Sequence, residues 1–200
     1  MMRNIIAILR GITPSEAEAH AEALIEAGVT VLEVPLNSPD PWVSIERLIA
    51  RFGNDVTIGA GTVLDVDAVR RLADMGARIV VSPNTDRDVI AATRAAGMES
   101  WPGVFSPTDC FEALKAGATG LKFFPASLIG PEGLRAMKAV LPPVPLYAVG
   151  GAGPGNFGEW LAAGATGFGI GTAIYRPGQS VEATAQAAKA ICRAYDEATA

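Results

Sequence analysis

The sequence predicts an α/β fold, a (β/α)₈ TIM barrel formed as one compact domain by residues 1–200. Short apolar runs recur along the chain, stretches rich in Ala, Glu, Arg and Leu with helical spacing separate them, and glycine often ends these stretches. Strands that alternate with helices indicate a parallel sheet, and eight such units indicate a closed barrel. The eight apolar runs are Ile5–Arg10, Val31–Leu36, Thr57–Val63, Ile79–Pro83, Ser100–Val104, Gly120–Ala126, Pro145–Gly151 and Gly167–Ala173.

The predicted helices begin and end at capping residues. Their spacing predicts helices over Pro14–Ala27, Asp65–Met75 and Asp86–Ala96, among others. Thr13 and Asp65 are suitable N-caps, because their side-chain oxygens accept backbone N–H groups of the first helical turn. A glycine just past a helix readily adopts the left-handed conformation that closes it. Five helical stretches are followed by such a residue, namely Gly28, Gly76, Gly97, Gly117 and Gly164.

The alternative fold is an open, doubly wound parallel sheet. Such sheets usually contain fewer strands and carry a glycine-rich phosphate-binding turn after the first strand. Here the first run is followed by Gly11-Ile12-Thr13-Pro14, which lacks the dinucleotide-binding fingerprint. Gly76, Gly97 and Gly117 recur at intervals of 21 and 20 residues. This even spacing favours the barrel.

The composition argues against several classes of protein. A formal charge of −5 and a pI of about 4.9 argue against a nucleic-acid-binding protein. Cys110 and Cys192 are too few for a disulfide framework, and the single histidine, His20, is expected on the surface of a helix. We therefore expect no zinc or iron site. No apolar stretch reaches the roughly 18 residues of a membrane span or resembles a signal peptide, so we expect a cytoplasmic protein.

Two charged residues interrupt apolar runs, where charge is rarely found. Lys122 lies in Gly120–Pro125 and Glu33 lies in Val31–Leu36. Burial lowers the pKa of a lysine and converts its ammonium into a nucleophilic amine. A buried amine and a buried carboxyl indicate Schiff-base chemistry with proton transfer. The alternative is a structural ion pair in the core.

Strand alternation directs the polar residues of several runs to one face, because successive strand residues face opposite sides. One face of the second run, with Leu32, Val34 and Leu36, is wholly aliphatic and suits packing against helices. Its other face, with Glu33, should point into the barrel. Four polar residues should then converge on the C-terminal mouth, where barrel enzymes carry their catalytic groups. These residues are Arg10, Glu33, Thr62 and Lys122.

Two glycine clusters lie late in the chain. Ala148–Asn156 begins within the seventh run and continues past its end, and Gly167–Thr172 lies in the eighth. Loops after the seventh and eighth strands of barrels frequently bind phosphate through backbone N–H groups. Glycines also serve tight turns without any ligand. Their position favours a phosphate pocket beside the amine and the carboxyl.

Four motifs are similar to those of a known family. They are Leu32–Pro39, Ile58–Leu64, Leu121–Ala126 and Ala148–Gly151. Through them the chain resembles the class I aldolases that act on 2-keto-3-deoxy-6-phospho sugar acids, from about Ile5 to the C-terminal helix. The segment Ala7–Pro14 and the Asn37-Ser38-Pro39 variant are most similar to the branch that acts on the galactonate epimer.

The resemblance implies a role for each candidate residue. Lys122 would form the Schiff base, and Glu33 would be the general acid and base. Thr62 would bind the pyruvate carboxylate, and Arg10 would lie near the substrate. Thr172 stands where a serine is common, so the hydroxyl is kept and a methyl is added. The other implied substrate-binding residues, which line the site or hold the phosphate, are Pro83, Val149, Gly150, Gly151 and Gly171.

The resemblance also implies a homotrimer, a phosphorylated 2-keto-3-deoxy acid as substrate and pyruvate as product. It implies no metal or organic cofactor, because the lysine itself supplies the electron sink. Gluconate-type relatives usually carry Thr, Arg and Thr where this chain has Pro35, Asn37 and Val149. The alternatives are the gluconate epimer or both epimers as substrate, other chemistry on a phosphate-binding barrel, and a non-catalytic barrel that binds phosphorylated sugars.

Overall fold

Strands and helices alternate along the chain in the computed structural model, which describes residues 3–200. The strands are β1 (Ile5–Ile8), β2 (Val31–Pro35), β3 (Thr57–Gly61), β4 (Ile79–Val81), β5 (Glu99–Trp101), β6 (Gly103–Val104), β7 (Leu121–Phe123), β8 (Leu146–Val149) and β9 (Gly167–Ile170). The helices are α1 (Ala17–Glu26), α2 (Pro41–Phe52), α3 (Val66–Asp74), α4 (Arg87–Ala95), α5 (Pro107–Lys115), α6 (Ala126–Lys138), α7 (Phe157–Ala163) and α8 (Val181–Thr199). None of the helices in this described part of the chain is long and apolar enough to cross a membrane.

The strands are parallel, and their order forms a barrel. In the sheet they run β5-β4-β3-β2-β1-β9-β8-β7-β6. β4 pairs with β5, whereas β6 pairs with β7. Only Pro102, which has no N–H group to donate to the ladder, separates β5 from β6. They are therefore two parts of one strand, and the predicted eight-stranded barrel is confirmed.

The predicted caps are present at the start of α3 and α4 and at the C-terminal ends of five helices, whereas Thr13 does not cap α1, whose N-cap residue is Glu16 without a side-chain cap. Asp65 Oδ1 accepts the Ala68 N–H at 2.7 Å at the start of α3. Asp86 Oδ1 accepts the Val89 N–H at 3.0 Å at the start of α4. All five predicted C-terminal glycines have positive φ, between 77° and 107°. Local capping chemistry therefore sets the spacing of the strand–helix units.

Two expectations for α1 are wrong. The helix begins at Ala17 and not at Pro14, because the intervening residues form a turn closed by the Thr13 carbonyl, which accepts the Ala17 N–H at 3.1 Å. His20 is 3% exposed and lies within 2.7 Å of Thr184 Oγ1 on α8. Helix α8 packs directly on α1, so the face that carries the histidine is covered.

The apolar side chains form two separate clusters. The outer cluster fills the space between the strands and the helices, and it contains Leu32 and Val34 as the strand pattern predicted. The inner cluster fills the barrel itself. Its members are Ile6, Ile8, Ile79, Val81, Trp101, Tyr147 and Val149. Any polar side chain among these residues is removed from water.

Candidate active site

Lys122 and Glu33 meet inside the barrel from opposite walls. Lys122 is on β7 and Glu33 is on β2, four strands apart in the sheet order. They are only 5% and 1% exposed. Both line a small interior cavity of about 10 Å³, enough for about one water molecule. The remaining wall is apolar and is formed by Ile6, Ile8, Val81, Trp101, Tyr147, Val149 and Gly169.

The Glu33 carboxyl fits in this position because Gly61 on β3 has no side chain. A β-carbon at Gly61 would overlap both carboxyl oxygens of Glu33. Glu33 Oε2 is buried and has no hydrogen-bond partner. A buried polar atom without a partner is rare in folded proteins and marks a place where a water or ligand group can bind. The carboxyl therefore keeps one oxygen available for an incoming molecule.

The surroundings shift the pKa values of both groups toward their neutral forms. Burial raises the pKa of the Glu33 carboxyl to about 7, although the positive charges of Lys122 and Arg10 oppose the shift. Burial also lowers the pKa of Lys122, and the charge of Arg10 acts in the same direction while Glu33 opposes it. Desolvation penalises the charged form of either group. Lys122 is thereby prepared to be an amine, and Glu33 to exchange a proton near neutral pH.

The two groups do not form a direct ion pair. Within residues 3–200, neither Lys122 nor Glu33 takes part in a salt bridge. Lys122 Nζ lies 4.7 Å from the centre of the Phe124 ring. The geometry therefore argues against a structural salt bridge as the reason for burying both groups.

Arg10 reaches the same site from the end of β1. It is exposed, and its Nη1 donates to Asn37 Oδ1 on the loop after β2 at 2.7 Å. The neighbouring Gly11 N–H donates to Ser38 Oγ at 2.9 Å, which ties the two loops together. Because the Asn37 amide is neutral, the guanidinium keeps its full positive charge for an anion.

A larger cavity opens outward from Lys122. Its volume is about 380 Å³, within the usual range for small-molecule sites. Its wall carries the Arg10 guanidinium and the Lys122 amino group, and no acidic residue is among the described residues that line it. The site is thus locally positive in a chain of net charge −5. Also on the wall are Ile8, Gly11, Phe124, Val149, Gly150, Gly151, Ala152, Gly169, Gly171, Thr172, Ala173, Tyr175 and Pro177.

The outer rim of this cavity is backbone from the loops after β8 and β9. Gly150 and Gly151 have φ of 83° and 101°, values that side-chain-bearing residues rarely adopt. A β-carbon on Gly151 would also lie 2.7 Å from Ser127 Cβ. Gly171 and Thr172 come from the opposite loop. The rim can therefore offer backbone N–H groups to an anion without any side chain in the way.

Two predicted site residues are not on the wall of either cavity. Thr62 directly follows β3 and Pro83 follows β4, both at the C-terminal end of the barrel, but neither lines the interior or the larger cavity. Thr62 has φ of 54°. For a β-branched residue this conformation is strained, and such strain is typical of functional sites. The roles assigned to both residues remain predictions.

Several cavity residues were not predicted as site residues, and Phe124, Tyr175 and Pro177 are among them. Phe124 is two positions after Lys122 on the same strand face, and this alternation was the available signal. Tyr175 and Pro177 enter the wall from the segment after β9. Their contribution depends on the path of that segment across the barrel mouth, for which the local sequence has no signal.

The site as a whole combines a desolvated amine, a carboxyl with an unpartnered oxygen and a pocket suited to an anion. No group of three or more His, Cys, Asp or Glu side chains suited to hold a metal ion occurs within residues 3–200. An amine of this kind can add to a carbonyl carbon, and the carboxyl can move the protons that this addition requires. This combination of groups suits a lyase that acts on a carbonyl compound.

Comparison with known proteins identifies the class. A sequence profile described as KDPG and KHG aldolase matches residues 2–189. The chain belongs to this aldolase family.

Individual relatives are similar over almost the whole chain. The 2-dehydro-3-deoxy-6-phosphogalactonate aldolase of Escherichia coli (strain K12) is 49% identical over 97% of this chain and 95% of its own length. A solved structure described as native KDPGal is 48% identical with a TM-score of 0.98, covering 100% of this chain and 97% of that one. A chain of a cube-shaped protein cage, designed by fusing symmetric oligomeric domains, is also 48% identical with a TM-score of 0.98, covering 100% and 74%.

Proposed function

We propose that this chain is a class I aldolase that cleaves 2-dehydro-3-deoxy-6-phospho-D-galactonate to pyruvate and D-glyceraldehyde 3-phosphate, acting in the cytoplasm as a single-domain enzyme. The observation that carries the proposal is the buried Lys122 amine, which lines one interior cavity with the Glu33 carboxyl and opens to a larger cavity whose described wall residues include no acid. The relative from Escherichia coli bears the name of this activity.

Lys122 begins the reaction as the nucleophile. Its neutral amine adds to the C2 ketone of the substrate, and the carbinolamine that forms loses water to give an iminium ion. Burial favours the neutral amine, as the lowered pKa of Lys122 indicates. The iminium ion withdraws electrons from C3, so the C3–C4 bond can break without a metal or an organic cofactor.

Glu33 moves the protons. It removes the proton from the C4 hydroxyl as glyceraldehyde 3-phosphate leaves, and it then returns a proton to C3 of the enamine. Hydrolysis of the resulting iminium ion releases pyruvate and restores the amine. A pKa of about 7 suits a group that must both accept and donate a proton near neutral pH.

The larger cavity holds the rest of the substrate. Arg10 on the cavity wall binds the carboxylate next to the reacting ketone together with Thr62, and Val149 lies on the wall. Thr62 and Pro83 do not line the cavity, and they would contact the substrate from the C-terminal end of the barrel. The phosphate occupies the outer rim, where backbone N–H groups and one hydroxyl can bind it. The rim residues that take this role are Gly150, Gly151, Gly171 and Thr172.

The active form is a homotrimer. Large apolar side chains are exposed beside the barrel mouth: Leu64 after β3 is 54% exposed, Phe105 after β6 is 51% and Leu128 on α6 is 73%. Contiguous exposed apolar patches are typical of interfaces, and in this proposal these three side chains contribute to one between copies of the chain. Light scattering on the purified chain should give the mass of three copies, and the mass of one copy would contradict this part of the proposal.

A coupled assay with both C4 epimers tests the function. Pyruvate release is measured from the galactonate and the gluconate 6-phosphates, and borohydride is added with pyruvate in a separate reaction. We expect cleavage of both epimers with the galactonate epimer preferred, and a covalent pyruvate adduct. Preference for the gluconate epimer would assign the chain to the branch of the family that acts on that epimer. Cleavage of neither epimer, with no adduct, would support a non-catalytic sugar-phosphate-binding barrel.

A further inference from the structure

The segment between β9 and α8 carries one side of the proposed phosphate site. Its first turn runs from Gly171 to Tyr175, and the Gly171 carbonyl accepts the Ile174 and Tyr175 N–H groups at 2.9 and 3.0 Å. Thr172 is exposed to the cavity, whereas Ile174 and Tyr175 are buried. The position of the cavity-facing residues therefore depends on what holds the buried side of this turn.

Gln179 braces the segment from inside. Its Oε1 accepts the Arg176 N–H at 3.2 Å, and its Nε2 donates to the Ile174 carbonyl at 3.0 Å. A backbone N–H can only donate and a carbonyl can only accept, so these two partners fix which end of the amide is which. Gln179 thus binds the backbone of the residues immediately before and after Tyr175.

The same amide group defines the direction of a longer chain of hydrogen bonds. Gln179 Nε2 also donates to Thr184 Oγ1 at 2.7 Å, so the threonine hydroxyl is an acceptor there. Its own proton has two partners within reach, His20 Nδ1 at 2.7 Å and the Ser180 carbonyl at 3.4 Å. The shorter contact is the stronger one. The chain therefore runs from Gln179 through Thr184 to His20.

His20 ends the chain on α1 as a neutral acceptor. Burial lowers its pKa, which matches an imidazole that accepts through Nδ1. Its ring also packs edge-on against Tyr175 at 5.0 Å between ring centres. The Tyr175 hydroxyl donates to the Glu16 carboxylate just before α1. Helix α1 thus holds the β9–α8 segment at two points.

We infer that Gln179, Thr184 and His20 form a positioning network that holds Gly171 and Thr172 in the conformation that binds the substrate phosphate. The inference rests on the proposed function. None of the three residues lines either cavity, and none contacts Lys122 or Glu33 by hydrogen bond. Loss of the network should therefore weaken binding of the phosphorylated end of the substrate and leave chemistry at the ketone intact.

The test compares two buried threonines. Thr184→Val removes the hydroxyl of the network, whereas the control Thr93→Val removes an equally buried hydroxyl that donates only to the Val89 carbonyl of its own helix. We expect Thr184→Val to raise KM for the phosphorylated substrate about tenfold, the size of a 1.4 kcal/mol loss of binding. Deuterium exchange of the pyruvate methyl group should stay at the wild-type rate. Thr184→Ser should restore KM.

Gln179→Met supplies a second variant for the case in which Thr184→Val does not fold. Gln179 is only half-buried, and methionine keeps its length while it removes all three hydrogen bonds. It should raise KM in the same way. If both variants fold and bind the phosphorylated substrate as tightly as Thr93→Val, the network has no positioning role.

The single histidine of the chain offers a direct spectroscopic readout. Inorganic phosphate titrated into the wild-type protein should shift the His20 ring proton resonances, and the shift should vanish in Gln179→Met. Resonances that do not move while phosphate competes with the substrate would overturn the inference. A wild-type protein that neither cleaves the substrate nor exchanges pyruvate protons would refute the proposed function itself, which is a separate result.

Discussion

At the inner end of the candidate site, Lys122 and Glu33 are almost completely buried, whereas Gly150, Gly151 and Thr172 at its outer rim are exposed. The inner end depends on two ionisable side chains among apolar neighbours. The rim depends on backbone conformation and has no ionisable side chain of its own. The two regions therefore handle charge by different physical means within a single cavity.

The difference follows from what each region has to do. A nucleophilic amine and a proton-shuttling carboxyl need shifted pKa values, which only desolvation and nearby charge provide. A phosphate dianion is already charged and strongly hydrated, so it is better bound at an open rim by several preorganised N–H donors. Variants that separate the two regions should therefore separate chemistry from binding.

The largest effect is expected at the inner end, for Lys122→Met. Removal of the amine should lower kcat/KM for cleavage by at least about 10⁴-fold, because Lys115, Lys138 and Lys189 lie on helices and do not line either cavity. Borohydride with pyruvate should add mass to the wild type and none to the variant. Lys115→Met is the matched control, since Lys115 is exposed and paired with Glu112 at 2.9 Å. A peptide map that placed the adduct on Lys115, Lys138 or Lys189 would contradict the assignment.

The next effect is expected for Glu33→Gln, with a loss of about 10²–10⁴-fold in rate. The variant should still form some adduct with pyruvate, but it should exchange the pyruvate methyl protons slowly in deuterated water. Glu99→Gln is the control, because Glu99 is the first residue of β5 and does not line either cavity. This variant should exchange the methyl protons at the normal rate. Exchange at the wild-type rate in Glu33→Gln would show that another group moves the proton.

At the rim, removal of the phosphate from the substrate should weaken binding and spare the chemistry. Each charge-assisted hydrogen bond that is lost should cost about 1.5–3 kcal/mol in kcat/KM. Pyruvate proton exchange does not involve the phosphate and should be unaffected. Equal efficiency on phosphorylated and unphosphorylated acids would leave the rim glycines as turn and packing residues only.

The buried carboxyl should also make the folded state sensitive to pH. The pKa of Glu33 is raised from 4.5 to about 7, so between these values the folded protein holds a proton that the unfolded chain has lost. The protonated Glu33 carboxyl makes its full contribution to the free energy of unfolding below about pH 4.5. That contribution falls by about 3 kcal/mol as the pH rises through 7. Urea unfolding should find Glu33→Gln more stable than the wild type at pH 8 and similar to it at pH 4.5. The same difference at both pH values would contradict a buried, protonated Glu33.

The smallest effect is expected where the two regions meet. Val149 lines both cavities beside Lys122, and its side chain offers only methyl groups to a substrate. Val149→Thr adds one hydroxyl that can bind a C4 hydroxyl group, worth about 1 kcal/mol. The ratio of kcat/KM values should shift toward the gluconate epimer. Val144→Thr, just before the N-terminal end of the same strand β8, is the control. An unchanged ratio in Val149→Thr would remove this explanation of epimer preference.

The fold could be predicted because its signals are local and repeated. Each strand appears as an apolar run, and glycines such as Gly76, Gly97 and Gly117 mark where one helix after another ends. The break between β5 and β6 at Pro102 could not be placed in the same way, since it depends on which partners each half finds in the sheet. The alternation of strand residues was also sufficient to direct Glu33 into the barrel.

The sequence by itself determined the eight strand–helix units and the presence of a lysine and a carboxyl where apolar residues belong. Only the tertiary structure decided how these features meet. Gly61 makes room for Glu33, α8 covers His20, and the cavity wall includes Tyr175 but not Thr62. Caps and strand alternation act between near neighbours in the chain, whereas burial, cavity walls and pKa shifts depend on residues brought together from distant positions. Those positions are fixed only when the barrel closes.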